Sequence, residues 1–154
     1  MKNIHLNWSY KKYEELTTSE LYAILQLRNE VFVVEQNCVY QDIDGKDQQS
    51  FHLMAWHDGE LAAYTRLVAP GISFKEASIG RVITSPRYRA KGIGILLMEK
   101  SIAHTLQSYA TNQIKIGAQL YLKRFYSGFG FVQTSEIYLE DGIEHIDMLL
   151  DKAL

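Results

Sequence analysis

The chain has 154 residues, 47% of them hydrophobic and 22% charged, with a net charge of −2. That is one domain of ordinary size with enough apolar residues for a real core. It excludes a disordered or membrane-spanning chain and denies nucleic acid a global basic field.

The stretch Met1 to Trp8 has no signal-peptide core, and the single cysteine, Cys38, cannot close an intrachain disulfide. Both predict a cytoplasmic protein. Ile4, Leu6, Trp8 and Tyr10 alternate with polar residues and predict a first strand. Thr17 to Glu20 offers N-cap chemistry, and apolar residues from Leu21 to Phe32 keep helical spacing, so a helix is expected over about residues 18–34. Residues 37–49 are rich in Asp, Gln and Asn and predict a loop. Asp42, Asp44 and Asp47 lack the spacing and terminal Glu of a calcium loop, which leaves a solvated acidic loop that could meet a cationic substrate.

Two β-rich runs, 51–56 and 61–68, flank Asp58-Gly59, a hairpin signal. A further strand is expected over 77–84, where Gly80 is consistent with a bulge. A long helix follows over about 91–110, then a β run at 113–117, a short helix at 120–126, and two strands at 131–138 and 144–150 joined through Glu140-Asp141-Gly142. No repeat or linker interrupts them. Strands with interspersed helices predict an α/β layer domain.

Chemistry concentrates where the strand 77–84 runs into the long helix. Arg87, Arg89 and Lys91 precede Gly92 and Gly94. The leading N–H groups of a helix lack partners, its dipole adds positive charge, and glycine lets an anion approach the backbone. Strand, basic glycine-bearing turn and helix therefore suit a phosphate, although a plain helix start with basic residues at solvent has the same composition. No Lys-Ser/Thr pair follows Gly94, so a nucleotide-triphosphate loop is excluded.

Arg89-Ala90-Lys91-Gly92-Ile93-Gly94 resembles the Gln/Arg-x-x-Gly-x-Gly/Ala signature of the GNAT superfamily of acetyltransferases. Phe125-Tyr126 with Gly130-Phe131 resembles that family's Leu-Tyr-x-x-x-Gly-Phe segment. More of the chain resembles the ElaA-like branch of the family: Leu27 to Cys38 with Asp42 and Asp44, Ile79 to Val82, Ala118-Gln119, and Glu140 to Met148. Val39 and Tyr121 depart from that branch, where Pro and His are usual.

The resemblance implies a GNAT-like α/β fold: one domain over 1–154, with a mixed, mostly antiparallel sheet, flanking helices and a splay between the fourth and fifth strands. It implies acetyl-CoA as acyl donor, held by Val82, Ile83 and Thr84, by Arg89 to Gly94, and by Gln119 and Tyr126. Gln119 stands where Asn is frequent in the family. Tyr126 would protonate the departing thiolate. Glu35, His52 and His145 are candidate bases, Glu35 foremost. Arg66, Arg81 and His145 are candidate substrate-binding residues, although the two arginines could instead pair with acids of the 35–47 segment. No metal is implied, because the histidines lack ligand spacing.

Acyl transfer to an amine needs a neutral amine, whereas a lysine-like amine has a pKa of about 10.4. It also needs oxyanion donors, each worth roughly 2.7–4 kcal/mol, and a proton for the leaving group. The reaction expected is direct transfer of acetyl to a primary amine of a small molecule or peptide in a ternary complex. The alternative is a non-catalytic acyl-CoA-binding or regulatory module. An acyl-homoserine-lactone synthase is raised by Arg28, Val31 and Phe32, but the chain is short for one. Neither nucleic acid nor membrane is expected as a partner, and monomer and homodimer both stay open.

Overall fold

The computed structural model describes residues 4–153. β1 (Asn7–Lys12), β2 (Phe51–His57), β3 (Glu60–Val68) and β4 (Ser78–Thr84) form one antiparallel sheet in that order. The β2–β3 turn has positive φ at Asp58 (47°) and Gly59 (77°), as a two-residue hairpin of the favoured twist requires. The second sheet is built on β8 (Ile143–Asp151). β5 (Gln113–Gln119) and β6 (Val132–Gln133) flank it, and β7 (Tyr138–Glu140) pairs with its start.

The two sheets touch through a single parallel bridge between Ala77 and Ile114, where the Lys115 N–H donates to the Ala77 carbonyl at 2.9 Å. Past it β4 and β5 part, so the expected splay is present. The ladder between β3 and β4 is also broken. Tyr64 pairs with Ile83 and Arg66 with Gly80, which leaves Arg81 and Val82 opposite Thr65 alone. The expected bulge therefore sits one residue beyond Gly80, with Arg81 itself in the left-handed region at φ 48°.

Three helices cover the sheets. α1 (Thr18–Arg28) opens on a capping box: Thr17 Oγ1 accepts from the Glu20 N–H, and Glu20 accepts from the Thr17 N–H. The chain continues as a seven-residue π-helix over Asn29–Glu35, so the expected helix 18–34 is real but changes winding halfway. α2 (Ile93–Ser108) lies on the opposite face and packs Ile93, Leu97, Met98 and Ile102 against residues of both sheets. α3 (Lys123–Ser127) follows a 3₁₀ turn at Leu120–Leu122. The single strand expected over 131–138 is instead β6 and β7 with an irregular stretch between them. Here the Thr134 N–H donates to the Asp147 carbonyl and Ser135 Oγ accepts from the Asp147 N–H. Among the described residues no helix is long and apolar enough to cross a membrane.

A candidate acyl-transfer cleft at the splay

The gap between β4 and β5 widens into a cleft of about 1120 Å³. It is walled by β4, by β5, by the turn ahead of α2, and on the open face of the second sheet by residues of β7 and β8. Val82, Ile83 and Thr84 line it from the end of β4, where no strand pairs with the gap-side edge. Gln119, Tyr126, Arg66, Arg81, His145 and Glu35 line it too. So do Arg89, Ala90, Gly92, Ile93 and Gly94, whereas Lys91 is exposed outside the lining.

The turn before α2 is built for close approach to backbone. Ala90 and Gly92 both have positive φ, 62° and 75°. Gly92 caps α2 without any side-chain hydrogen bond, which leaves the leading N–H groups of a 16-residue helix without a capping oxygen. A Cβ built on Gly92 would meet nothing within 4 Å. Its glycine is thus required by the φ angle, and the space beside it is open. Arg89 reaches back over this corner: its Nε donates to the Thr84 carbonyl at 3.3 Å.

Arg89 also clasps Glu35, the last residue of the π-helix, with two hydrogen bonds of 2.8 and 2.7 Å. Those bonds hold the Glu35 carboxyl below the usual carboxylate range. Two more contacts follow from the same segment. Gln119 Nε2 donates to Gln36 Oε1 at 3.5 Å, and Cys38 Sγ donates to the Asp141 carbonyl at 3.4 Å. Residues 35–38 thus form a strap across the cleft, tied to the α2 turn, to β5 and to the β7–β8 turn.

The loop 37–49 is not solvated as its composition predicts. Asp42 and Asp47 are buried among three arginines. Arg28 of α1, fully buried, donates to Asp42 (2.9 Å) and Asp47 (2.6 Å). Arg66 of β3 grips Asp44 with two bonds of 2.8 Å and also reaches Asp47. Arg81 donates from the bulge to Asp42 (2.8 Å) and Asp44 (3.2 Å). Burial pushes Asp44 and Asp47 up, but the guanidinium hydrogen bonds prevail and hold both below their ordinary value. Arg66 and Arg81 thus both pair with acids of this loop, as the sequence allows, while lining the cleft. Among the described residues, no cluster of three or more His, Cys, Asp or Glu side chains could hold a metal ion.

Tyr126 is buried, and its hydroxyl has no hydrogen-bond partner among the described residues. Burial pushes its phenol well above the ordinary tyrosine value, so it stays protonated. His145 is buried in the wall formed by β8. His52 lies outside the cleft lining, fully buried. Its Nε2 faces the Asp47 carbonyl (2.9 Å) and its Nδ1 the Tyr64 hydroxyl (2.6 Å), which makes it a core residue. The strap contacts and the part of Arg28 in the arginine cluster were missed in sequence because their partners lie far apart along the chain; Arg89 and Glu35, for example, are 54 residues apart.

Known proteins share this fold. The acetyltransferase (GNAT) domain model matches residues 12–152. Protein ElaA of Escherichia coli (strain K12) is 43% identical over 145 residues, 93% of this chain and 95% of ElaA. Its crystal structure superposes with a TM-score of 0.90 at 41% identity, over 96% of this chain and all of that one. The crystal structure of an acyl-CoA N-acyltransferase from Pseudomonas aeruginosa does so with a TM-score of 0.91 at 44% identity, over 95% and 99% of the two chains. A CoA-dependent acyl-homoserine lactone synthase, BjaI, shares the fold alone, at 15% identity and a TM-score of 0.78 over 96% of this chain and 83% of its own. With its two sheets parted over an uncapped helix start, the chain belongs to the GNAT acetyltransferase family, in the branch that contains ElaA.

Proposed function

We propose that this GNAT enzyme moves an acetyl group from acetyl-CoA to a primary amine of a small-molecule or peptide acceptor, by direct attack in a ternary complex. The observation that carries this reading is the corner where the β4–β5 gap meets the N-terminus of α2. There a left-handed Gly92, uncapped helix N–H groups and the Arg89 guanidinium converge on open space. That is the donor set a diphosphate needs. At about 1120 Å³ the cleft has room for a ligand at least as large as a drug-sized molecule.

Acetyl-CoA supplies an activated thioester carbonyl. In this reading Arg89, Ala90, Lys91 and the backbone of Gly92, Ile93 and Gly94 hold its diphosphate. The unpaired edge of Val82, Ile83 and Thr84 offers N–H groups to its arm and to oxyanion charge. Gln119 offers its amide from β5. Tyr126, protonated and without an internal partner, gives a proton to the departing sulfur. Arg81 and Arg66 face the acceptor from within the aspartate cluster. Glu35 serves as base only once Arg89 has left it, because a carboxylate held by two guanidinium bonds accepts a proton poorly. Residues 1–154 would act as one acyl-CoA-binding domain in the cytoplasm.

Thiol release from acetyl-CoA, with amines, amino acids, peptides and polyamines as acceptors, tests the reading. Turnover with at least one amine is expected, and Tyr126→Phe should lower kcat by about 10²-fold with acetyl-CoA binding retained. Acetyl-CoA binding without thiol release on any acceptor would instead point to the binding module.

A further inference from the structure

We propose that His145 is the base that takes the acceptor's proton, and that Glu140 stabilises the imidazolium so formed. This rests on the acyl-transfer reading and fills the place that reading leaves to a caged Glu35. The β8 register sets His145 opposite Gln119 on one side and Tyr138 on the other, so the three form a row across the sheet. All three line the cleft. The imidazole stacks on the Tyr138 ring at 6.0 Å between centroids, which fixes its plane.

Its two nitrogens differ. Nδ1 lies 2.7 Å from the Ile143 carbonyl oxygen. A carbonyl only accepts, so this nitrogen carries the hydrogen, and Nε2 is the nitrogen left to exchange a proton. Nε2 lies 3.4 Å from Glu140 Oε2. A proton taken up at Nε2 therefore lies beside a carboxylate. That placement favours positive charge at this spot, an imidazolium or an incoming ammonium group. The charge around it points the same way. Glu140 and Asp141 come from the β7–β8 turn and Asp147 from the same face of β8, its carboxylate accepting from the Tyr138 hydroxyl. Cys38 of the strap and the neutral Gln119 complete the titratable and polar surroundings. Among the described residues lining the cleft, His145 is the one histidine.

The protons balance as follows. An R–NH₃⁺ acceptor gives one proton to Nε2 and becomes R–NH₂. Its lone pair forms the C–N bond to the thioester carbonyl, and the C–S bond breaks. The sulfur takes the Tyr126 proton, the second N–H proton restores Tyr126, and the imidazolium returns its proton to water. The product is the N-acyl amine and free thiol.

The test is kcat/KM for thiol release from acetyl-CoA against pH, with spermidine, tyramine, lysine and glycyl-lysine as acceptors, the fastest being followed. Wild type should show a limb that rises with pH and levels off below the amine's own pKa. His145→Gln should lose about 10²-fold at neutral pH. It should also lose the plateau, rising steadily to the amine pKa, with acetyl-CoA affinity unchanged. Glu140→Gln, at a largely exposed side chain, should lower kcat/KM less than His145→Gln does and move the wild-type limb to lower pH. A wild-type profile retained in His145→Gln, or an unmoved limb in Glu140→Gln, overturns the assignment while acyl transfer stands. No thiol release from wild type with any of the four acceptors would overturn both.

Discussion

Burial silences His52. Surrounded by core and bonded at both nitrogens, its imidazole is pushed below the ordinary 6.5 by desolvation and stays neutral. An unfolded chain protonates this histidine more readily than the folded one does. Folding stability must therefore fall as pH drops below about 6.5 toward the depressed folded value. One group sets a ceiling of about 1.4 kcal/mol per pH unit. Asp44 and Asp47, held low by Arg66 and Arg28, contribute stability that is lost only at more acid pH, below the usual carboxylate range. Thermal melts between pH 7.5 and 5 should show a decline in Tm that His52→Gln flattens, and an unchanged slope in that variant would refute the account. Residue roles with local signatures were legible. Tyr126 sits in a short motif, and Gly92 in a turn whose chemistry the hexapeptide announces. Of the roles made by distant pairs, the pairing of Arg66 and Arg81 with acids of the 35–47 segment was open in sequence, and the clasp of Arg89 on Glu35 was not. Glu35 reads as a free carboxylate until Arg89 is seen to hold it.

The loop 37–49 is an element without regular hydrogen bonding, and its order comes from charge. Three carboxylates meet guanidiniums from α1, β3 and β4, across sequence separations of 14 to 39 residues. The left-handed Arg81 is held in that conformation by the same cluster. Removing one partner strands the others in the interior. Arg28→Met should cost about 3–5 kcal/mol in urea unfolding, against about 1 kcal/mol for breaking the half-buried Lys11–Glu20 pair. A loss below 1 kcal/mol for Arg28→Met would show that water reaches the cluster. Composition predicts a wet acidic loop because it counts Asp without seeing its partners. The strand expected over 131–138 failed for a related reason. Its β-rich residues satisfy propensity, but Ser135 bonds the β8 backbone through its side chain and breaks the ladder.

At the scale of the molecule, the order of strands and helices was legible from periodicity and turn residues, and the parting of the sheets only from family resemblance. Nothing local in β4 or β5 says that they pair through Ala77 and Ile114 and then separate. If the gap takes a coenzyme arm, the amides of Val82 to Thr84 should exchange with deuterium markedly more slowly once acetyl-CoA is added, while β1 and β2 amides barely change. Equal protection in both would place the ligand elsewhere. Two long strands with bare edges are a hazard in any protein, since each is a template for a neighbouring chain. Here the bare edges of β4 and β5 face one another across the cleft, with residues 35–38 over it. The geometry that leaves room for a ligand therefore also turns these two edges away from other copies of the chain.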